Sequence, residues 1–144
     1  MKAINTYTDA KELTKLMANA KRLGSEEVYN AAFKRRCELE GFDQTDPLHR
    51  DFHIVLAAYE GILEEKHGHR QPASYTRRKL KAKGVEQCLE DWALDTKETD
   101  GFRTLIDRGL INLTGEFVVT KYPDRFDSRV VEAASARLSR YRPE

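Results

Sequence analysis

The 144 residues predict an all-α protein, a compact bundle of about seven or eight helices, longer in the N-terminal half and shorter in the C-terminal half. Three observations lead there. Apolar residues recur at spacings of three and four through most of the chain. Cap-forming residues (Asp9, Ser25, Asp46, Thr99) precede those runs, and glycines (Gly24, Gly41, Gly109) follow several of them. The one β-rich stretch, Phe117–Val119, has no second strand with which to pair.

The elements follow in order. Asp9 and Glu12 have the spacing of a capping box, and Leu13, Leu16, Met17, Ala20 and Leu23 form a stripe ended by Gly24. Ser25 caps a second helix from Glu26 to Glu40, whose apolar side is mixed: Val28, Tyr29, Ala32, Phe33 and Cys37. Asp46 and Pro47 open a third helix, the central one, in which Leu48, Phe52, Val55, Leu56, Tyr59, Ile62 and Leu63 draw a continuous stripe.

The segment 68–73 (Gly-His-Arg-Gln-Pro-Ala) is the clear internal break. It is where a single domain spanning residues 1–144 would subdivide into halves 1–67 and 74–144. Ser74 then caps a short basic helix to Lys83. Gly84 kinks or ends it before a second segment carrying Val85, Cys88, Leu89 and Trp92 on one face. Thr99 or Asp100 begins a helix containing Phe102, Leu105 and Ile106. Thr114 favours a short helix over a strand for Glu116–Tyr122, and Asp127 or Ser128 caps the last helix, with Val130, Val131, Ala134, Leu138 and Tyr141 on its apolar face.

Charged residues at 34% and hydrophobic ones at 40% suit a soluble globular chain. Residues Met1–Thr8 show no secretory pattern, and the most apolar run, Phe52–Leu63, contains Glu60 and is too short to span a bilayer. A cytoplasmic protein with no membrane partner is the expectation. Cys37 and Cys88 are too few for a disulfide scaffold and fall among apolar helix positions, which predicts burial.

Charge is where the pattern departs from the ordinary. Between residues 66 and 83 stand Lys66, Arg70, Arg77, Arg78, Lys79, Lys81 and Lys83, with His67 and His69 and no acid. Between residues 84 and 100 stand Glu86, Glu90, Asp91, Asp95, Glu98 and Asp100 against Lys97 alone, although the whole chain carries a net charge of only +1. Such a basic block either contacts phosphates or is neutralised within the fold. In a continuous helix, for example, Lys83 would face Glu86 at i+3.

The functional expectation is a small, non-catalytic nucleic-acid-binding or adaptor protein. Its phosphate-contacting residues are Arg70, Arg77, Arg78, Lys79, Lys81 and Lys83, with Tyr75 as a stacking surface. Five phosphate contacts would give a log–log salt slope of about −3.5 to −4.5. A helix-turn-helix is disfavoured, because the second segment carries Glu86, Glu90 and Asp91, where a recognition helix would meet phosphates. Arg125, Arg129, Arg137, Arg140 and Arg142 add a second, acid-interspersed basic cluster.

The alternative is a protein-interaction module that docks an acidic partner, or self-associates as a homodimer through its opposite blocks. A metal-dependent enzyme ranks third. His49 and His53 are one turn apart but lack the Glu of the zinc-protease motif, and Glu116, Lys121 and Asp124 lack diagnostic spacing. No cofactor is implied.

Overall fold

The computed structural model describes residues 3–141, and the fold is all-α. Among these residues eight α-helices form: α1 (Ala10–Leu23), α2 (Glu26–Leu39), α3 (Pro47–His67), α4 (Ser74–Lys83), α5 (Val85–Leu94), α6 (Asp100–Asp107), α7 (Gly115–Lys121) and α8 (Ser128–Ser139). Single 3-10 turns lie at Ile4–Thr6, Ile111–Leu113 and Pro123–Arg125. The three N-terminal helices have 14, 14 and 21 residues, and none of the last five exceeds 12.

Local chemistry sets most boundaries. Asp9 accepts from the Lys11 amide, Ser25 from Val28, Asp46 from Leu48, Thr99 from Phe102 and Thr114 from Phe117. The Thr114 cap resolves the β-rich stretch as helix α7. Ser74 is a correction: it is the first residue of α4, and Ala73 holds the cap position without a side-chain bond of its own. The Glu60 carboxylate of α3 accepts the Ala73 amide at 2.8 Å instead, so a tertiary contact replaces a local cap. Leu23 is a second correction, for it is 72% exposed rather than part of the α1 stripe.

Two apolar clusters form the interior, and α3 feeds both. Leu48, Phe52, Val55 and Leu56 pack with Val85, Cys88, Leu89, Val118, Val119, Val130 and Ala134 from α5, α7 and α8. Ala58 and Ile62 pack with Leu13, Met17, Ala32, Phe33 and Cys37 from α1 and α2, and with Leu105 from α6. Tyr59 touches both clusters. The 3.6-residue period explains the division: a 21-residue helix has room for two stripes on different sides, which a single stripe read from sequence merges.

The α4–α5 junction positions the basic segment. Gly84 takes φ 92° and ψ 174°, a backbone that L side chains rarely adopt, so it ends α4 and starts α5 in one residue. The helix is therefore broken, and the Lys83–Glu86 pair of a continuous helix does not form. No residue of α4 is fully buried; half-buried Leu80 packs on the core and the helix rides on the surface. Among the described residues no helix is long and apolar enough to cross a membrane.

Candidate nucleic-acid interface

The cations of the 66–83 run divide into two groups. Arg77 grips Glu60 with two bonds, Nε at 2.5 Å and Nη2 at 2.6 Å. Lys79 reaches Asp91 of α5 at 2.8 Å, and its ammonium also lies 4.8 Å from the Tyr75 ring centre. Both are thereby held as cations more firmly than usual: the Glu60 hydrogen bond raises the Arg77 pKa, and the Asp91 hydrogen bond raises that of Lys79. Asp91 is pulled down, first by its bond from Lys79. In Glu60 burial pushes upward, and the bonds from Arg77 and Ala73 outweigh it. Lys66 has only a long contact to Asp100, at 3.9 Å.

Arg70, Arg78, Lys81 and Lys83 are the other group. All four are exposed, and no hydrogen bond or ion pair engages their side chains among the described residues. Arg78 and Lys83 flank a shallow groove with Tyr75, Lys79, Ala82, Gln87 and Asp91. Tyr75 is 68% exposed, an aromatic face bordered by cations. Its position follows from helical spacing, since residues 75, 78, 79, 82 and 83 share one side of α4. Of the seven sequence-predicted contact residues, then, Arg77 and Lys79 are committed within the fold. The structure brings Tyr75, Arg78 and Lys83 together and leaves Lys81 and Arg70 exposed beyond them.

The acidic block is answered from elsewhere. Arg125 bonds Glu86 at 3.2 Å and Asp46 at 3.1 Å, Arg129 bonds Glu90 at 3.1 Å, and Arg103 and Arg140 lie 3.5 and 3.6 Å from Glu98. Lys79–Asp91 is the close bridge between the neighbouring blocks, and Lys66–Asp100 a longer one. The C-terminal arginines of the second cluster are thus internal partners of residues 86–98; Arg142 lies outside the described residues.

The other sequence candidates separate. His49 faces Asp46 at 3.7 Å and Glu86 at 3.4 Å. Half-buried His53 packs edge-on against Phe52, and burial, then Arg77 and His49, lowers its pKa. Among the described residues no group of three or more His, Cys, Asp or Glu is placed to hold a metal ion. Lys121 and the Tyr122 hydroxyl bind Asp51, while Asp124 is exposed and Glu116 buried, so the three do not converge. Both cysteines are buried, and burial pushes the Cys37 thiol up to about 12, far from a reactive thiolate.

Sequence reasoning missed one polar centre. Glu116 and Arg137 are 3% and 7% exposed and bond at 2.8 Å. Arg137 also donates to the Trp92 carbonyl at 3.0 Å and to that of Asp95, closing the C-terminal end of α5. A signal was present: position 137 falls on the same helix side as Val130, Ala134, Leu138 and Tyr141, so an arginine there interrupts an apolar stripe. Comparison with family models, curated proteins and solved structures found no match to this chain.

Proposed function

We propose that this protein is a non-catalytic nucleic-acid-binding module that contacts phosphates through the exposed side of α4. The observation that carries the reading is the contrast in pairing. Arg77, Lys79, Arg125 and Arg129 sit against carboxylates, whereas Arg70, Arg78, Lys81 and Lys83 form no ion pair, Arg70 and Lys83 feeling Glu60 and Asp91 only through longer-range attraction. Arg78 and Lys83 beside an exposed tyrosine, with Lys81 and Arg70 exposed beyond them, suit a single strand or loop, whose bases are free to stack. Asp91 in the same groove weighs against insertion into a duplex groove lined by phosphates.

An acidic protein is the second reading, and the same cations support it. Self-association through the two blocks has less support, because Glu86, Glu90, Asp91 and Glu98 already have cationic partners. Fluorescence anisotropy with labelled single-stranded DNA, duplex DNA and RNA tests the proposal. The protein should bind saturably at low salt, best to the single strands, and a Arg78→Glu, Lys81→Glu, Lys83→Glu variant should lose binding while its melting temperature stays within a few degrees. Absence of binding at low salt would overturn it, and turn the search to acidic proteins.

A further inference from the structure

Lys79 is withheld from phosphates by its bond to Asp91, yet it lines the same groove as Tyr75, Arg78 and Lys83. Its ammonium has two neighbours there. Asp91 Oδ2 lies at 2.8 Å, and the Tyr75 ring lies beneath it, with its centroid at 4.8 Å. Tyr75 and Lys79 are four residues apart on α4, so their side chains meet on one side of the helix. A cation is drawn to the electron-rich face of an aromatic ring, which couples the two. The Lys79 side chain is only 20% exposed, whereas Tyr75 remains largely in solvent and stacks on no other ring among the described residues. One face of the ring thus carries the ammonium, and the opposite face is open.

The anchor behind Lys79 is itself fixed. Gln87 Nε2 donates to Asp91 Oδ1 at 2.8 Å, while Lys79 takes the other carboxylate oxygen. Gln87 and Asp91 belong to α5, whose Val85, Cys88, Leu89 and Ala93 are buried in the core. Contacts therefore run without a gap from a packed helix, through Asp91 and Lys79, to an exposed ring on a surface helix. A free surface tyrosine must give up rotamer freedom when a ligand orders it; a ring already held gives up less.

We infer that Lys79 is a positioning residue: clamped by Asp91, it holds the Tyr75 ring as a one-sided platform on which a single unpaired base stacks, while Arg78 and Lys83 take the flanking phosphates. Stacking needs only an open π face on each side, so the platform accepts any base. In a duplex the bases are already stacked on one another and offer Tyr75 no face except at an end. The ligand is thus an unpaired stretch of nucleic acid that places one base in the groove. This role depends on the phosphate-contacting reading of α4, and it gives Lys79 a part in binding that adds nothing to the phosphate count.

The full chain is titrated, by fluorescence anisotropy, with labelled oligo-dT and with a labelled strand of equal length in which abasic units replace every nucleoside. Both strands present the same phosphates, so the ratio of their affinities isolates the base. In the native protein oligo-dT should bind at least ~5-fold more tightly, and the preference should vanish in Tyr75→Ala. Lys79→Ala should reduce the preference while the salt slope stays as it is, and Lys79→Met reads the same effect where the Ala variant does not fold. Lys79→Arg keeps a cation on the ring and a donor for Asp91, so it should retain the preference. A merely structural role for Lys79 would weaken both strands alike and leave the ratio unmoved. Arg78→Ala should also leave the ratio, but flatten the slope. Equal affinity of the native protein for the two strands, or a preference that the folded Lys79 variants leave intact, would overturn this role with phosphate contact by α4 still standing. No binding of either strand would bring down the α4 reading and this role with it.

Discussion

Replacing Arg137 by Ala should be among the most damaging single changes in this protein. The guanidinium is 7% exposed and serves three acceptors: the Glu116 carboxylate on α7, and the Trp92 and Asp95 carbonyls at the end of α5. Truncation leaves a buried carboxylate uncompensated and two carbonyls without their donor. Breaking a buried pair from one side typically costs 3–5 kcal/mol, a roughly one-third share of the stability of an ordinary domain. Guanidinium denaturation followed by circular dichroism reads this directly as a lower midpoint at unchanged slope. The double variant Arg137→Leu, Glu116→Leu should recover part of the loss, since an apolar pair removes the orphaned charge. A cost below about 1 kcal/mol for Arg137→Ala, or a double variant worse than the sum of the singles, would refute this account of the α5–α7–α8 junction.

Burial is the largest influence on Glu116 and raises its carboxyl above the usual 4.5. An acid raised in the folded state contributes stability below its unfolded value and loses it as pH rises through the folded one. The stability of the native chain relative to Glu116→Gln should therefore fall as pH rises above the usual carboxyl value of 4.5, measured by urea denaturation at a series of pH values. Arg77→Ala removes a bidentate but half-exposed pair and should cost about 0.5–1 kcal/mol, whereas Arg78→Ala should stay within ~0.5; parallel thermal melts separate them. Phe52→Ala empties a fully buried site stacked on Trp92 and should cost about 3–5 kcal/mol by chemical denaturation.

The helices and most caps were legible because they depend on residues three or four apart. Asp46–Pro47 at α3 and Thr114 at α7 needed nothing beyond their neighbours. Ser74 failed as a cap because Glu60, 13 residues before Ala73, supplies the acceptor. The candidate interface was half legible for the same reason. Sequence marks the acid-free run but not which of its cations meet an acid across space, and Glu60 and Asp91 each remove one. The pairing of Arg125 and Arg129 with Glu86 and Glu90 spans 39 residues in each case, beyond any periodicity. Glu116 illustrates the limit most clearly. Its burial depends on Arg137, 21 residues away, in surroundings assembled from six helices and the segments between them.

The salt dependence of binding tests the central claim most directly. With Arg77 and Lys79 held by Glu60 and Asp91, four cations remain free for phosphates: Arg70, Arg78, Lys81 and Lys83. The log–log slope for a labelled oligonucleotide should then lie at about −2.8 for a single strand or −3.6 for a duplex. Arg78→Ala and Lys81→Ala should each flatten it by nearly one, and Lys79→Ala should leave it unchanged. A slope near zero, or one that Lys79→Ala flattens while Arg78→Ala does not, would contradict the division of the basic segment into committed and free cations.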